Sequence, residues 1–485
     1  MMRIRVAVQH VLAVATAFVL ATPLLAAAEP LCVEVPVAND RCPAWTAVHD
    51  ATDAEGNTGR EEAVAVATSG GRVFVAGGTE VGAPVIEIQA LAAETGQELW
   101  TARVGGALSG LSGGLALAAA PDGSRLFLMA TSTAADFLVV SLDPATGAIQ
   151  WTTTYDGSAG GPDHARDLAV SPDSNELYVT GWSEPPGERQ ALVLLALSAS
   201  DGAQLWTMRY RGPTRYYAAR DSGHAVSVSP DGGRVFVAGR STGSSRLEGT
   251  NFDLVTLAVD VPDQDQQPSA GWAWVGRFTV AVNVGVSGRV GLGVSEDGTR
   301  VVMSGEGDNN FWTVGYDATG GEELWSAELH GTPISQGWVS TLDEAKVEIS
   351  EGRAFVAISK AWDPGPLVAS YDVDTGAEQW TARYLAGPPL GTSGMVLAPD
   401  GDTVYTLASS LDAGYGSSAA AFDAETGSQL WVGRMNSANE HIYGNALAIS
   451  SSGDALLATG GISEPEVDGQ DVSWTGDFLT WSYPL

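Results

Sequence analysis

Lysine is almost missing: Lys346 and Lys360 are the only two in 485 residues, and the other positive charges are arginines. That bias reads as a coding preference and not as a site. Positive charge itself is scarce, with 24 Lys and Arg against 58 Asp and Glu and a formal net charge of −34. Polyanion binding needs a basic footprint, so this balance argues against nucleic acid. It also disfavours adhesion to anionic lipid, and it suits solubility outside the cytosol. No helix-period segment of useful length occurs in the body of the chain. No Gly-x-Ser-x-Gly elbow or glycine-rich phosphate loop survives inspection, because the many glycines fall at turns, and there is no Cys-x-x-Cys-His haem motif. Cysteine is confined to Cys32 and Cys42. Two nearby cysteines outside the cytosol most simply form a disulfide that pins the terminus, and two alone do not make a zinc site.

The one long apolar run is at the N-terminus. Arg3 and Arg5 precede Val6 to Leu25, and Ala26-Ala27-Ala28 offers a small-residue cleavage site before Glu29. Residues 1–28 are expected to be a signal peptide and 29–485 one domain, secreted or periplasmic, with an uncleaved anchor as the alternative. Glu29, Pro30 and Leu31 ahead of Cys32 do not match a lipid-attachment pattern. After cleavage no membrane span is expected, and the chain is expected to be a monomer.

What is abundant is repetition. YDVDTGAEQWTARY, Tyr371 to Tyr384, sets Asp372, Gly376 and Trp380 at fixed offsets. Asp caps the turn, Gly supplies positive φ, and the indole on the outgoing strand fills space against a neighbouring unit. LDPATGAIQW, YDATGGEELW and FDAETGSQLW repeat it, ending at Trp151, Trp325 and Trp431. Trp100 and Trp206 keep the Gly without the Asp, Trp274 closes a degenerate copy, and Trp45 has only the outgoing half. From Trp100 to Trp431 the intervals are 51, 55, 68, 51, 55 and 51 residues, a period in the range of propeller blades. A second signature, AVAVATSGGRVFVAGG and its cognates, gives a hairpin at the head of each unit, beginning near Ala63, Leu115, Asp167, Ala225, Val290, Lys346, Met395 and Ala446.

Two hairpins per unit make four strands. The last unit stops after a third strand, DFLTWSYPL, while Trp45 to Val48 is an outgoing strand without a partner. The expectation is an all-β fold, an eight-bladed β-propeller of four-stranded antiparallel blades, its last blade closed by the N-terminal strand. Repeat packing lets one such domain exceed the usual single-core size.

The period and the x-Asp-x-x-Thr-Gly-x-x-x-Trp motif resemble the tryptophan-docking repeats of quinoprotein alcohol dehydrogenases, propellers that bind pyrroloquinoline quinone (PQQ). The same repeat occurs in non-catalytic relatives, including a propeller lipoprotein of the outer-membrane assembly machinery. The resemblance implies that Trp45, Trp100, Trp151, Trp206, Trp274, Trp325, Trp380 and Trp431 are structural. The family's enzymes clamp the quinone with a disulfide between adjacent cysteines and hold calcium with Glu, Asn and Asp; this chain has no adjacent cysteine pair, and those ligands do not map onto it.

Ligands of propellers bind at the mouth of the central channel. The register of the innermost strands puts Glu62, Leu115, Arg166, His224, Val290, Lys346, Ser393 and Asn445 near that ring. Of these, Glu62, Arg166, His224 and Asn445 can hold a small polar ligand or a calcium ion; plain solvation of the mouth is the alternative. Tyr216 and Tyr217, with Arg215 and Arg220 in an aromatic- and Arg-rich loop, suit a carbohydrate or protein contact, and Trp338 is placed to project over the same face; loop packing is the competing reading for each. His49, His164, His224, His330 and His441 show no metal-ligand spacing. The leading functional expectation is an exported, non-catalytic binding or scaffolding module, with no catalytic residue and no cofactor. A quinoprotein-like oxidoreductase using PQQ and calcium, or a carbohydrate-active propeller, are the alternatives.

Overall fold

The computed structural model describes residues 40–50, 61–79, 85–105, 114–157, 160–214, 219–243, 252–262, 268, 271–279, 289–307, 310–330, 344–359, 366–383, 389–410, 416–435, 440–468 and 471–485. Cys32, Tyr216, Tyr217 and Trp338 lie outside them. Eight antiparallel four-stranded blades follow one another along the chain. Their innermost strands are Glu61–Ser69, Ala116–Ala119, Asp163–Val170, Asp221–Val228, Gly291–Val294, Glu344–Ser350, Pro389–Leu397 and His441–Ile449. Each touches the innermost strand of the next blade, and the eighth touches the first, so the ring is closed around a channel.

The closing blade has the expected composition. Its outer strand is Trp45–His49, paired antiparallel with Asp471–Pro484 in the register Ala47 to Thr480 and Val48 to Leu479. A further N-terminal pair, Asp40–Arg41, runs parallel to the outer strand of blade 7, Gln429–Met435. Among the described residues no helix is long and apolar enough to cross a membrane.

Burial follows position in the blade. The two middle strands of blade 2, Leu126–Thr131 and Phe137–Leu142, are buried at every residue because a blade lies against each face. Its outer strand, Ile149–Tyr155, is exposed or half-buried throughout. The core is thus a series of inter-blade layers rather than a single centre.

The Asp–Gly–Trp motif works across these layers. In blade 6, Asp372 Oδ1 accepts from Thr375 N (2.9 Å) and Thr375 Oγ1 (2.7 Å), and Gly376 adopts φ +68°. Trp325 of blade 5 lies on that glycine and donates Nε1–H to Val373 O at 2.8 Å. Trp45, Trp100, Trp151, Trp274 and Trp380 repeat the contact on Gly96, Gly147, Gly202, Gly321 and Gly427. Two indoles depart from it for legible reasons. Blade 4 carries the degenerate turn, and Trp206 is buried in an apolar layer with Val259 instead. Blade 8 is interrupted by the chain ends, and there Trp431 packs by Tyr483, with the Arg41 guanidinium 4.8 Å over its ring. The extra N-terminal pair therefore covers the one indole whose neighbouring blade has no turn to offer.

Candidate functional site, the mouth of the channel

The inner strands are not regular. Their pairing slips by one residue at Val64, Arg166, His224, Ser393 and Asn445, each left unpaired between two paired neighbours. A bulge re-aims the extra residue and is common where a sheet meets a site. Arg166, His224 and Asn445 thus occupy equivalent places. Glu62 does not, because Val64 takes the bulge in its strand; Glu62 is paired opposite Gly78. The structure nonetheless brings it to Asn445, whose Nδ2 donates to Glu62 Oε1 (3.0 Å) and Ala63 O (2.8 Å), joining the last blade to the first.

Across the ring a basic group assembles. His224 neighbours three guanidiniums, Arg240 on the second strand of blade 4, Arg166 of blade 3, and Arg289 just ahead of blade 5. Burial, reinforced by those charges, pushes its pKa well below the ordinary histidine value, so the imidazole is neutral at neutral pH. Burial and the Arg289 charge likewise lower Arg166, and burial with Arg166 lowers His164, which stacks on Trp182 at 4.3 Å. Arg166 Nε and His224 Nδ1 are buried and make no hydrogen bond within the chain.

Two acids share the channel. Burial raises Asp167 to about 6 although Val226 N donates to its Oδ2 at 2.8 Å and Lys346 and Arg289 stand near. Burial raises Glu348 to about 7 against the opposing charge of Lys346. Lys346, which strand register placed at the ring but not among the ligand candidates, is the counter-charge of both. Arg240, Arg289, Asp167 and Glu348 were not candidates from sequence. Arg240 sits on a different strand, and nothing in a lone arginine or acid marks it as facing a channel.

These donors do not fit the quinone and calcium of the enzymes that the repeats resemble. A divalent cation wants ionised carboxylates. Here Glu348, raised to about 7, is only half ionised at neutral pH, Asp167 is committed to Val226 N with Lys346 and Arg289 near, and Glu62 is taken by the Asn445 amide. What the arrangement can do is attract and hydrogen-bond an anion: the guanidiniums of Arg166, Arg240 and Arg289 gathered around His224 give a local positive field in a chain whose net charge is −34.

Comparison with known proteins agrees with the architecture. Three solved structures resemble the chain in fold. The Dos1 propeller is 13% identical, covering 90% of this chain and 93% of its own, with a TM-score of 0.53. The quinohemoprotein alcohol dehydrogenase ADHIIG from Pseudomonas putida HK5 is 11% identical, covering 88% and 76%, at 0.53. The quinohemoprotein alcohol dehydrogenase from Comamonas testosteroni is 12% identical, covering 93% and 78%, at 0.54. No curated protein matches the sequence. The model of the family described as outer membrane protein assembly factor BamB matches residues 86–251 and 271–470, and the chain, a PQQ-like repeat propeller, belongs to that family.

Proposed function

We propose that the chain is an exported, non-catalytic binding module whose channel mouth takes a small anionic ligand, a di- or tricarboxylate in class. The observation that carries this reading is the convergence of Arg166, His224, Arg240 and Arg289, with Arg166 Nε and His224 Nδ1 left without a partner in the chain. Buried donors are costly to leave unmade, and a carboxylate would satisfy them. A family described as an assembly factor suits a binding role better than turnover. Export rests on the apolar N-terminal run, and N-terminal sequencing of the secreted protein is expected to start at Glu29. A disulfide between Cys32 and Cys42 belongs to the same reading, and non-reducing peptide mapping tests it.

The binding test is thermal stability in citrate against sodium chloride at matched ionic strength. Citrate is expected to raise the melting temperature, and Arg166→Gln and His224→Ala to remove the rise. The pH dependence has a definite sign. As pH falls from 8 to 6, Glu348 and then Asp167 take up protons, cancelling negative charge beside Lys346 and Arg289, while His224 stays neutral and the arginines stay charged. Binding of tartrate, a dicarboxylate that stays fully ionised through this range, should therefore tighten on acidification. No response to citrate, or one unchanged in both variants, would overturn the ligand class. A spectral shift with PQQ and calcium would overturn the non-catalytic reading.

A further inference from the structure

The connections between blades repeat a small device. From blade 2 to blade 3 the chain reads Tyr155-Asp156-Gly157 and then Asp163; from blade 3 to blade 4 it reads Tyr210-Arg211-Gly212 and then Asp221. In both, the glycine N–H donates to the aspartate that opens the next inner strand: Gly157 to Asp163 Oδ2 at 2.7 Å, Gly212 to Asp221 Oδ2 at 3.0 Å. Both aspartates are fully buried, at 1% and 0% exposure, opposite a serine of the second strand, Ser183 or Ser241.

The two copies differ in how the buried charge is met. Ser241 donates to Asp221 Oδ1, and Arg277 Nη1 donates to Ser241 Oγ at 2.8 Å, so a guanidinium stands behind the carboxylate. At Asp163, Oδ1 and Ser183 Oγ form no hydrogen bond of good geometry, although the serine is near enough to lower the carboxylate's pKa in part. In place of an arginine, Asp136 and Asp156 bring two further carboxylates, and one oxygen of each of the three acids lies within 4.8 Å of the others. Burial raises the pKa of both Asp136 and Asp163, and the neighbouring acids add to it. A buried carboxylate with an unmade bond, facing two more, is a costly arrangement unless something positive joins it.

We propose that Asp136, Asp156 and Asp163 bind a divalent cation of hard, oxygen-preferring type, calcium, at the junction of blades 2 and 3, where the ion does what Arg277 does one blade on. The donor set is all oxygen, which excludes metals that select thiolate or imidazole. Calcium accepts oxygens at about 2.4 Å in flexible geometry, whereas magnesium demands near-octahedral ligands at about 2.1 Å and keeps its waters. Three carboxylate oxygens within 4.8 Å of one another, brought from separate connections, suit the more tolerant ion. The ion would tie the Asp136 loop of blade 2 and the Asp156 connection to the buried start of blade 3.

The test uses the full chain stripped with chelator. Calcium at millimolar concentration is expected to raise the melting temperature by several degrees, and magnesium at equal concentration to raise it much less. Terbium should give sensitised emission that calcium quenches by displacement. Asp156→Asn, at an exposed position that leaves the Gly157–Asp163 bond in place, should remove both signals. Asp122→Asn, on a distant exposed turn, should leave both unchanged. Equal shifts with calcium and magnesium in the wild type, or a calcium response that survives in Asp156→Asn, would mean diffuse screening of an acidic surface and would overturn the site.

Discussion

At the residue scale the fold depends on a glycine lying flat against an indole. A Cβ on Gly376 would sit 2.5 Å from Trp325 Cδ2, and φ +68° already disfavours any side chain there. Gly71, on a turn with φ +72°, has nothing within 4 Å of the same hypothetical atom. The comparison separates the two penalties. Gly71→Ala is expected to cost about 1 kcal/mol from backbone conformation alone. Gly376→Ala should cost about 3 kcal/mol, because the indole must also shift in a packed layer. Chemical denaturation of both variants checks this, and equal losses would mean that the docking contact carries no energy. The Gly–Trp pairing was legible in sequence because both partners recur at fixed spacing. The channel group was only partly legible: Arg166 and the neutral His224 were found through strand register, Arg240 and Arg289 were not.

At the scale of the element, the closing strand is held by more than its ladder. His49 near its end bonds Glu87 of blade 1, whose other oxygen accepts from Arg103 Nε at 2.7 Å. Burial by itself would lower the His49 pKa, but the hydrogen bond and charge of Glu87, with Glu98 and Glu61, raise it above the ordinary value. Burial would raise Glu87, and His49 and Arg103 more than reverse that. A histidine with a raised folded pKa stabilises fully below its unfolded value of 6.5 and loses that contribution as pH rises through the folded value. A carboxylate with a lowered pKa stabilises above its unfolded value of 4.5 and loses the contribution as pH falls through the folded one. The pair therefore supports closure best between those limits. The stability gap between wild type and His49→Gln is expected to be about 1 kcal/mol near pH 6 and to shrink towards pH 9. A gap that widens with rising pH would contradict the assignment. None of this was legible beforehand, since 38 residues separate His49 from Glu87 and only ring closure makes them neighbours.

At the scale of the whole molecule, both chain ends meet in one blade. Removing residues 1–49 would strip the outer strand from blade 8 and uncover the edge of Asp471–Pro484 together with Trp431. An uncapped edge next to a bared apolar face invites self-association. The truncated chain is expected to melt with lower cooperativity and to form higher-order species by size-exclusion chromatography with light scattering. A monomer with unchanged melting would show that the ring does not need its closing strand.

Blade number, strand order and closure were determined by the sequence alone, because a blade is local: turn glycine, docking indole and alternating strands all fall within some fifty residues and repeat. The charged groups in the channel and the acids at the junction of blades 2 and 3 were decided only by the tertiary structure. Asp136, Asp156 and Asp163 come from two separate connections, and Arg166, His224, Arg240 and Arg289 from three blades. For Arg166 and His224 the meeting depends on a one-residue slip in their inner strands, and a slip of that size turns a residue from one face of a sheet to the other without altering the hydrophobic pattern that encodes the blade.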